Sequence, residues 1–154
     1  MHEEYIKEAI SLSQQSVDVG GYPVGSIVVL NGKIIGRGLS DGKQKMDATS
    51  HSEIAAIRDA SKNLNKRELL GATVYSSLEP CIMCLCACHY AKVSTIVYAC
   101  LKKHVPPKYF EGTNKLEEIN KLNTPPITLI HEESFQEEAL KIFNNWELNR
   151  KKIK

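Results

Sequence analysis

A chain of 154 residues fits one domain and can bury a substantial core without staples. Its 20 Lys and Arg against 18 Asp and Glu leave a formal net charge of +2, too small by itself to argue for a nucleic-acid partner. No apolar run approaches the roughly 18 residues of a membrane span, and Met1-His2-Glu3-Glu4-Tyr5 lacks the basic-then-apolar layout of a secretory leader, so a cytoplasmic protein with no membrane partner is expected.

In chain order, Tyr5, Ile6, Ala9, Ile10 and Leu12 recur at helical spacing and predict an amphipathic helix over 2–17, ended by Gly20-Gly21-Tyr22-Pro23. Residues 25–30 and 33–37 are β-rich runs around Asn31-Gly32, a strong hairpin signal. A polar loop over 40–50 leads to a helix from about His51 to Lys62. A third strand is expected over 72–76 and a helix from Glu79 to about Ala91, with Pro80 in its first turn as helix starts favour. Further strands are predicted over 93–98 and 127–130, and a closing helix from Ser134 to about Lys151. No repeat or long linker divides the chain, so 1–154 is expected to be a single domain. Strands alternating with helices predict an α/β sandwich with helices on both sheet faces.

Five cysteines are an odd number, and Cys81, Cys84, Cys86 and Cys88 crowd together, which suits metal ligation in a reducing compartment better than disulfides. His51-x-Glu53 and Pro80-Cys81-x-x-Cys84 carry the chemistry. One imidazole and two thiolates are three ligands for a tetrahedral Zn²⁺, leaving the fourth position to water. Cys81 and Cys84 stand at i and i+3, so both sulfurs can reach one ion held off the first helical turn. The positive pole of that helix favours the thiolate. His51 and Glu53 would point about 200° apart within a regular helix. They can share a site only if a helix begins at them. Cys88 shares the face of Cys81 and Cys84 but lies about 10 Å further along the axis, against a Zn–S bond of about 2.3 Å. Cys86, Cys88 and Cys100 are therefore expected to be small buried hydrophobes.

Three protein ligands and a nearby carboxylate compose a catalytic rather than a structural zinc site. The paired signature is that of zinc deaminases acting on nucleobases. Glu53 would take the proton of the attacking water and deliver protons to the ring nitrogen and the departing ammonia.

At these residues the chain resembles the cytidine/deoxycytidylate deaminase superfamily, in the branch of guanine, cytosine and tRNA adenosine deaminases. The resemblance covers nearly the whole chain: Tyr22-Pro23-Val24-Gly25 before the first strand, Ile35-Gly36-Arg37-Gly38 in the second, His51-Ser52-Glu53-Ile54, and Leu78-Glu79-Pro80-Cys81-Ile82-Met83-Cys84. It implies a three-layer α/β/α sandwich around a mixed five-stranded sheet. It also implies one zinc per chain on His51, Cys81 and Cys84, Glu53 as proton shuttle, and a homodimer. Groups at Gly25, Ser52, Ser77 and Leu78 would lie against the base. These deaminases usually carry an asparagine eleven residues before the zinc histidine. Here that position is Ser40, a shorter side chain without the amide's paired donor and acceptor. The stretch from Tyr98 through Phe110 to Ile119 is similar in length to guanine deaminases, with His104 where an acidic contact is expected.

The tail offers Phe143, Trp146 and Leu148, then basic Asn149–Lys154. It reads as a solvated helix end, as a lid whose aromatic ring (Trp146 is the candidate) closes over the base, or as a basic patch for tRNA. The leading expectation is a zinc hydrolase releasing ammonia from a free nucleobase or small nucleoside-like heterocycle, guanine- or cytosine-like. A tRNA-specific adenosine deaminase comes second and a non-catalytic zinc module third.

Overall fold

The computed structural model describes residues 1–110 and 115–153. Helix α1 (Glu3–Asp18) is followed by β1 (Tyr22–Leu30) and β2 (Lys33–Ser40), a short α2 (Gly42–Lys45) and α3 (Ser52–Leu64). Then come β3 (Thr73–Leu78), α4 (Ile82–Tyr90), β4 (Thr95–Cys100), α5 (Leu116–Asn120), β5 (Thr128–His131) and α6 (Gln136–Lys152). The sheet runs β2-β1-β3-β4-β5; β1 is antiparallel to β2 and β3, while β3, β4 and β5 are parallel. It is the mixed five-stranded sheet expected.

Alternation along the strands sends successive side chains to opposite faces. Ile27, Val29, Tyr75 and Val97 join Ile6, Ala9 and Ile10 of α1 and Ala139 and Phe143 of α6 in one core. Val28, Val74, Ile96 and Tyr98 join Ala56 and Ala60 of α3, Leu85 and Cys88 of α4 and Leu116 of α5 in the other. The hairpin turns on Asn31 and Gly32 at φ 50 and 73, the left-handed conformation that an Asn-Gly turn supplies. On β2, a Cβ at Gly36 would overlap backbone of Ala56 and Ala60, and one at Gly38 would overlap Ser52 and Ala56. Two bare glycines thus let α3 lie directly on the sheet, which fixes where its first residues sit.

Several expectations need correction. Tyr22–Gly25 does not precede the first strand but forms its irregular start, with Tyr22 paired to Ser40 and Gly25 to Leu39. The 40–50 loop contains the α2 turn and is stapled by the Ser50 hydroxyl donating to Asp41 at 2.7 Å. Pro80 lies outside α4: Cys81 is the N-cap, extended at φ −75 and ψ 170, and helical backbone begins at Ile82. Cys86 is half-buried rather than buried, because it leaves the core face that Cys84 and Cys88 share. In the stretch from Tyr98 to Ile119, residues 111–114 lie outside the described residues.

Candidate active site

His51 and Cys81 occupy equivalent places, each the extended residue that caps a helix: α3 begins at Ser52 and α4 at Ile82. Cys81 Sγ lies 3.5 Å from His51 Nδ1 and 3.5 Å from Cys84 Sγ, and Cys84 Sγ is 3.6 Å from His51 Nδ1. A tetrahedral ion with bonds of about 2.0–2.3 Å has ligand separations of roughly 3.5–3.8 Å. The triangle therefore has the size and donor set of a zinc site with its fourth position open. Among the described residues, His51, Cys81 and Cys84 are the group positioned to hold a metal ion. Cys88 is buried in the core among Leu85 and Leu116.

The thiols share a proton. Cys84 donating to Cys81 Sγ pulls the Cys81 pKa down to about 4, with His51 acting in the same direction against burial. The same hydrogen bond, with burial, pushes Cys84 well above the ordinary thiol range. A metal ion replaces that proton with its own charge. Glu53 is 3 % exposed, and its carboxyl is raised above the usual range by burial, then by Cys81. Its own backbone N–H and His51 oppose the shift. Placed as the second residue of α3, it avoids the 200° divergence because His51 is not helical.

A cavity of about 530 Å³ opens onto this group at the carboxyl end of β3, lined by His51, Ser52, Glu53 and Cys81 on its polar side. Such a volume suits a small heterocycle. Ser40, Leu78 and Phe110 line it too, with Val24, Tyr109 and Phe143 as apolar wall. Four expected contacts sit outside the lining. Gly25 packs on α1, its N–H donating to buried Ser77 Oγ at 3.1 Å. His104 is exposed in a 3₁₀ turn. Trp146 packs tilted against Tyr22 and Tyr109 and edge-on to Phe143 at the rim, with the Arg150 guanidinium 4.6 Å from its ring centre. The ring is packed against protein and lies outside the lining.

Sequence reasoning passed over Tyr109, whose hydroxyl donates to Glu147 of α6 at 3.3 Å, and the neighbouring Lys108, paired with the same carboxylate at 3.1 Å. It also passed over Ser26 and Ser76, which reach Glu53's surroundings from the sheet. Their signal was a hydroxyl at an inward strand position within an apolar run.

The chain belongs to the cytidine and deoxycytidylate deaminase family, whose zinc-binding-region pattern matches residues 1–100. Its relatives divide by substrate. The tRNA-specific adenosine deaminase of Buchnera aphidicola is 39% identical over 108 residues, 68% of this chain and 67% of that protein. The guanine deaminase of Bacillus subtilis is 35% identical over 121 residues, 78% of each. Among solved structures, the guanine deaminase from Nitrosomonas europaea superposes with a TM-score of 0.85 at 19% identity, over 96% of this chain and 85% of that one, a likeness of fold.

Proposed function

We propose that this chain is a zinc-dependent hydrolytic deaminase of a free nucleobase or small nucleoside-like heterocycle. The observation that carries the reading is the cavity: Glu53, His51 and Cys81 line its polar floor under apolar walls, with Cys84 completing the metal-sized group behind them. When bound, zinc supplies the Lewis acidity that makes a water nucleophilic near neutral pH. Glu53 takes one proton of that water as its oxygen bonds to the amino-bearing ring carbon, and passes it to the ring nitrogen. It then takes the proton left on the added oxygen and passes it to the amino group; the C–N bond breaks, ammonia leaves, and the oxygen stays on the ring as a carbonyl. Leu78 and Phe110 clamp the ring, and Ser40 meets its edge.

The wall itself favours a small substrate. Lys108, Tyr109 and Phe110 cover the cavity from the side of α6, tied down through Glu147. A tRNA adenosine substrate is the second reading, supported by the relatives of that name. Ammonia release from guanine, measured beside inosine formation in an adenosine-bearing anticodon stem-loop, separates the two. Turnover of the stem-loop alone would overturn the first reading. A homodimer belongs to the same proposal: α3 and α4 leave Ile54, Ile57 and Met83 half-buried and Tyr90 70% exposed.

A further inference from the structure

Both oxygens of Glu53 are met by buried serine hydroxyls. Ser52 Oγ donates to Oε2 and Ser76 Oγ to Oε1, each at 3.2 Å. Behind them Ser26 Oγ lies 2.7 Å from Ser52 Oγ and 3.1 Å from Ser76 Oγ. The four side chains close a ring that meets the cavity through Glu53, while each of the three serines is 0% exposed. The fold builds it deliberately from three elements. Ser26 of β1 and Ser76 of β3 are register partners, so their side chains share one sheet face, and Ser52 is the first residue of α3 above them. Ile27, Val28, Val74 and Tyr75 flank the strand serines, all buried and apolar. An alanine at 26 or 76 would suit that strand without a hydroxyl to satisfy.

We propose that Ser26, Ser52 and Ser76 are positioning residues that fix the Glu53 carboxylate for proton transfer; the inference rests on the deaminase reading of Glu53. A terminal carboxylate rotates broadly unless donors hold it. One hydroxyl on each oxygen selects a single orientation and leaves each oxygen a lone pair for the reacting groups. Ser26 acts one step back. A hydroxyl that accepts its proton has its own proton turned to Glu53. Burial removes water as a competing partner, so the ring's geometry persists. Another side-chain donor, Cys84 Sγ at 3.4 Å from Oε2, loses its proton when it ligates a metal. The serine hydroxyls keep theirs.

The test is run on zinc-loaded protein, with ammonia release from guanine and inosine formation in an anticodon stem-loop as turnover assays. Ser52→Ala and Ser76→Ala should each lower kcat about tenfold, with KM within about twofold and zinc retained. Ser76→Thr, which restores a hydroxyl, should recover most of the loss. Ser26→Ala should also lower kcat, but add nothing in a Ser52→Ala/Ser76→Ala background, because its effect runs through those two. A second readout needs no substrate. The carboxylate stretch of Glu53, isolated by subtracting the infrared spectrum of Glu53→Gln, should shift in Ser52→Ala and Ser76→Ala. It should stay in place in Ser13→Ala, a buried serine on α1 that donates to Ile10 instead. An unmoved Glu53 band, or a Ser26→Ala effect that persists in the double background, overturns the ring. Full activity in Glu53→Gln would instead overturn the reading of Glu53 as proton carrier, and the infrared band would still decide the ring.

Discussion

Glu53 Oε2 lies 3.4 Å from Cys84 Sγ, beside the His51, Cys81 and Cys84 group positioned to hold a metal ion. Glu53→Gln keeps the volume and removes the proton carrier. It is expected to retain one zinc per chain while the rate falls about 10²–10⁴-fold. Metal analysis and kcat on the same preparation check both halves. Cys84→Ser should lose the metal, whereas Cys88→Ala, deep in the core behind it, should keep it. Ser40 stands elsewhere in the same cavity. Its single hydroxyl lines the cavity at the end of β2, where an amide would offer paired hydrogen bonds. Ser40→Asn is expected to raise kcat/KM for guanine or cytosine relative to other amino-substituted rings, by about tenfold for each 1.4 kcal/mol regained. An unchanged ranking of bases would show that the base edge is read elsewhere. At this scale the ligands and Glu53 were legible because imidazole, thiolate and carboxylate are chemically distinctive at fixed spacings. Ser26 and Ser76 were not, because a serine in a strand announces nothing until β1 and β3 are paired.

At the scale of elements, the site depends on two helices starting where they do. Metal ligation ties the starts of α3 and α4 together, so stripping the metal should lower the melting temperature. Because Cys84 holds its thiol proton well above the ordinary range without metal, zinc uptake should release protons and weaken as pH falls. Calorimetry in buffers of different ionisation enthalpy measures that release, and its absence would mean both thiols were already ionised. Gly38→Ala drives a methyl group into the backbone of α3 at Ser52 and Ala56. Overpacking of this kind costs about 1–3 kcal/mol. It should weaken zinc binding as well, by displacing His51; a variant with unchanged stability and affinity would show that α3 is not seated by that contact. Strands and helices were legible from periodicity. The start of α4 was not: Pro80 suits a first helical turn, yet the next residue is the extended N-cap that turns its sulfur to His51.

Across the whole molecule, the two cores and the strand order follow from alternation and short connections. The cavity does not, because it is assembled from β1, the end of β2, the start of α3, the 108–110 segment and α6. Side chains so far apart in sequence leave no local pattern: in the sequence Trp146 reads as a candidate lid, and only the fold brings it against Tyr22 and Tyr109. Sedimentation at micromolar concentration should give a dimer, and Tyr90→Glu should weaken it. A monomer in the unaltered protein would remove the dimer from the account. The central claim is that Glu53 and a zinc held by His51, Cys81 and Cys84 deaminate a small heterocycle. It is tested most directly by ammonia release from zinc-loaded protein across guanine, cytosine, adenine, their nucleosides and triazine and pterin analogues, beside Glu53→Gln with equal zinc. The account predicts ammonia in proportion to one or a few of these rings, and its loss in the variant. No ammonia from any ring at full zinc occupancy, or equal release by Glu53→Gln, would contradict it.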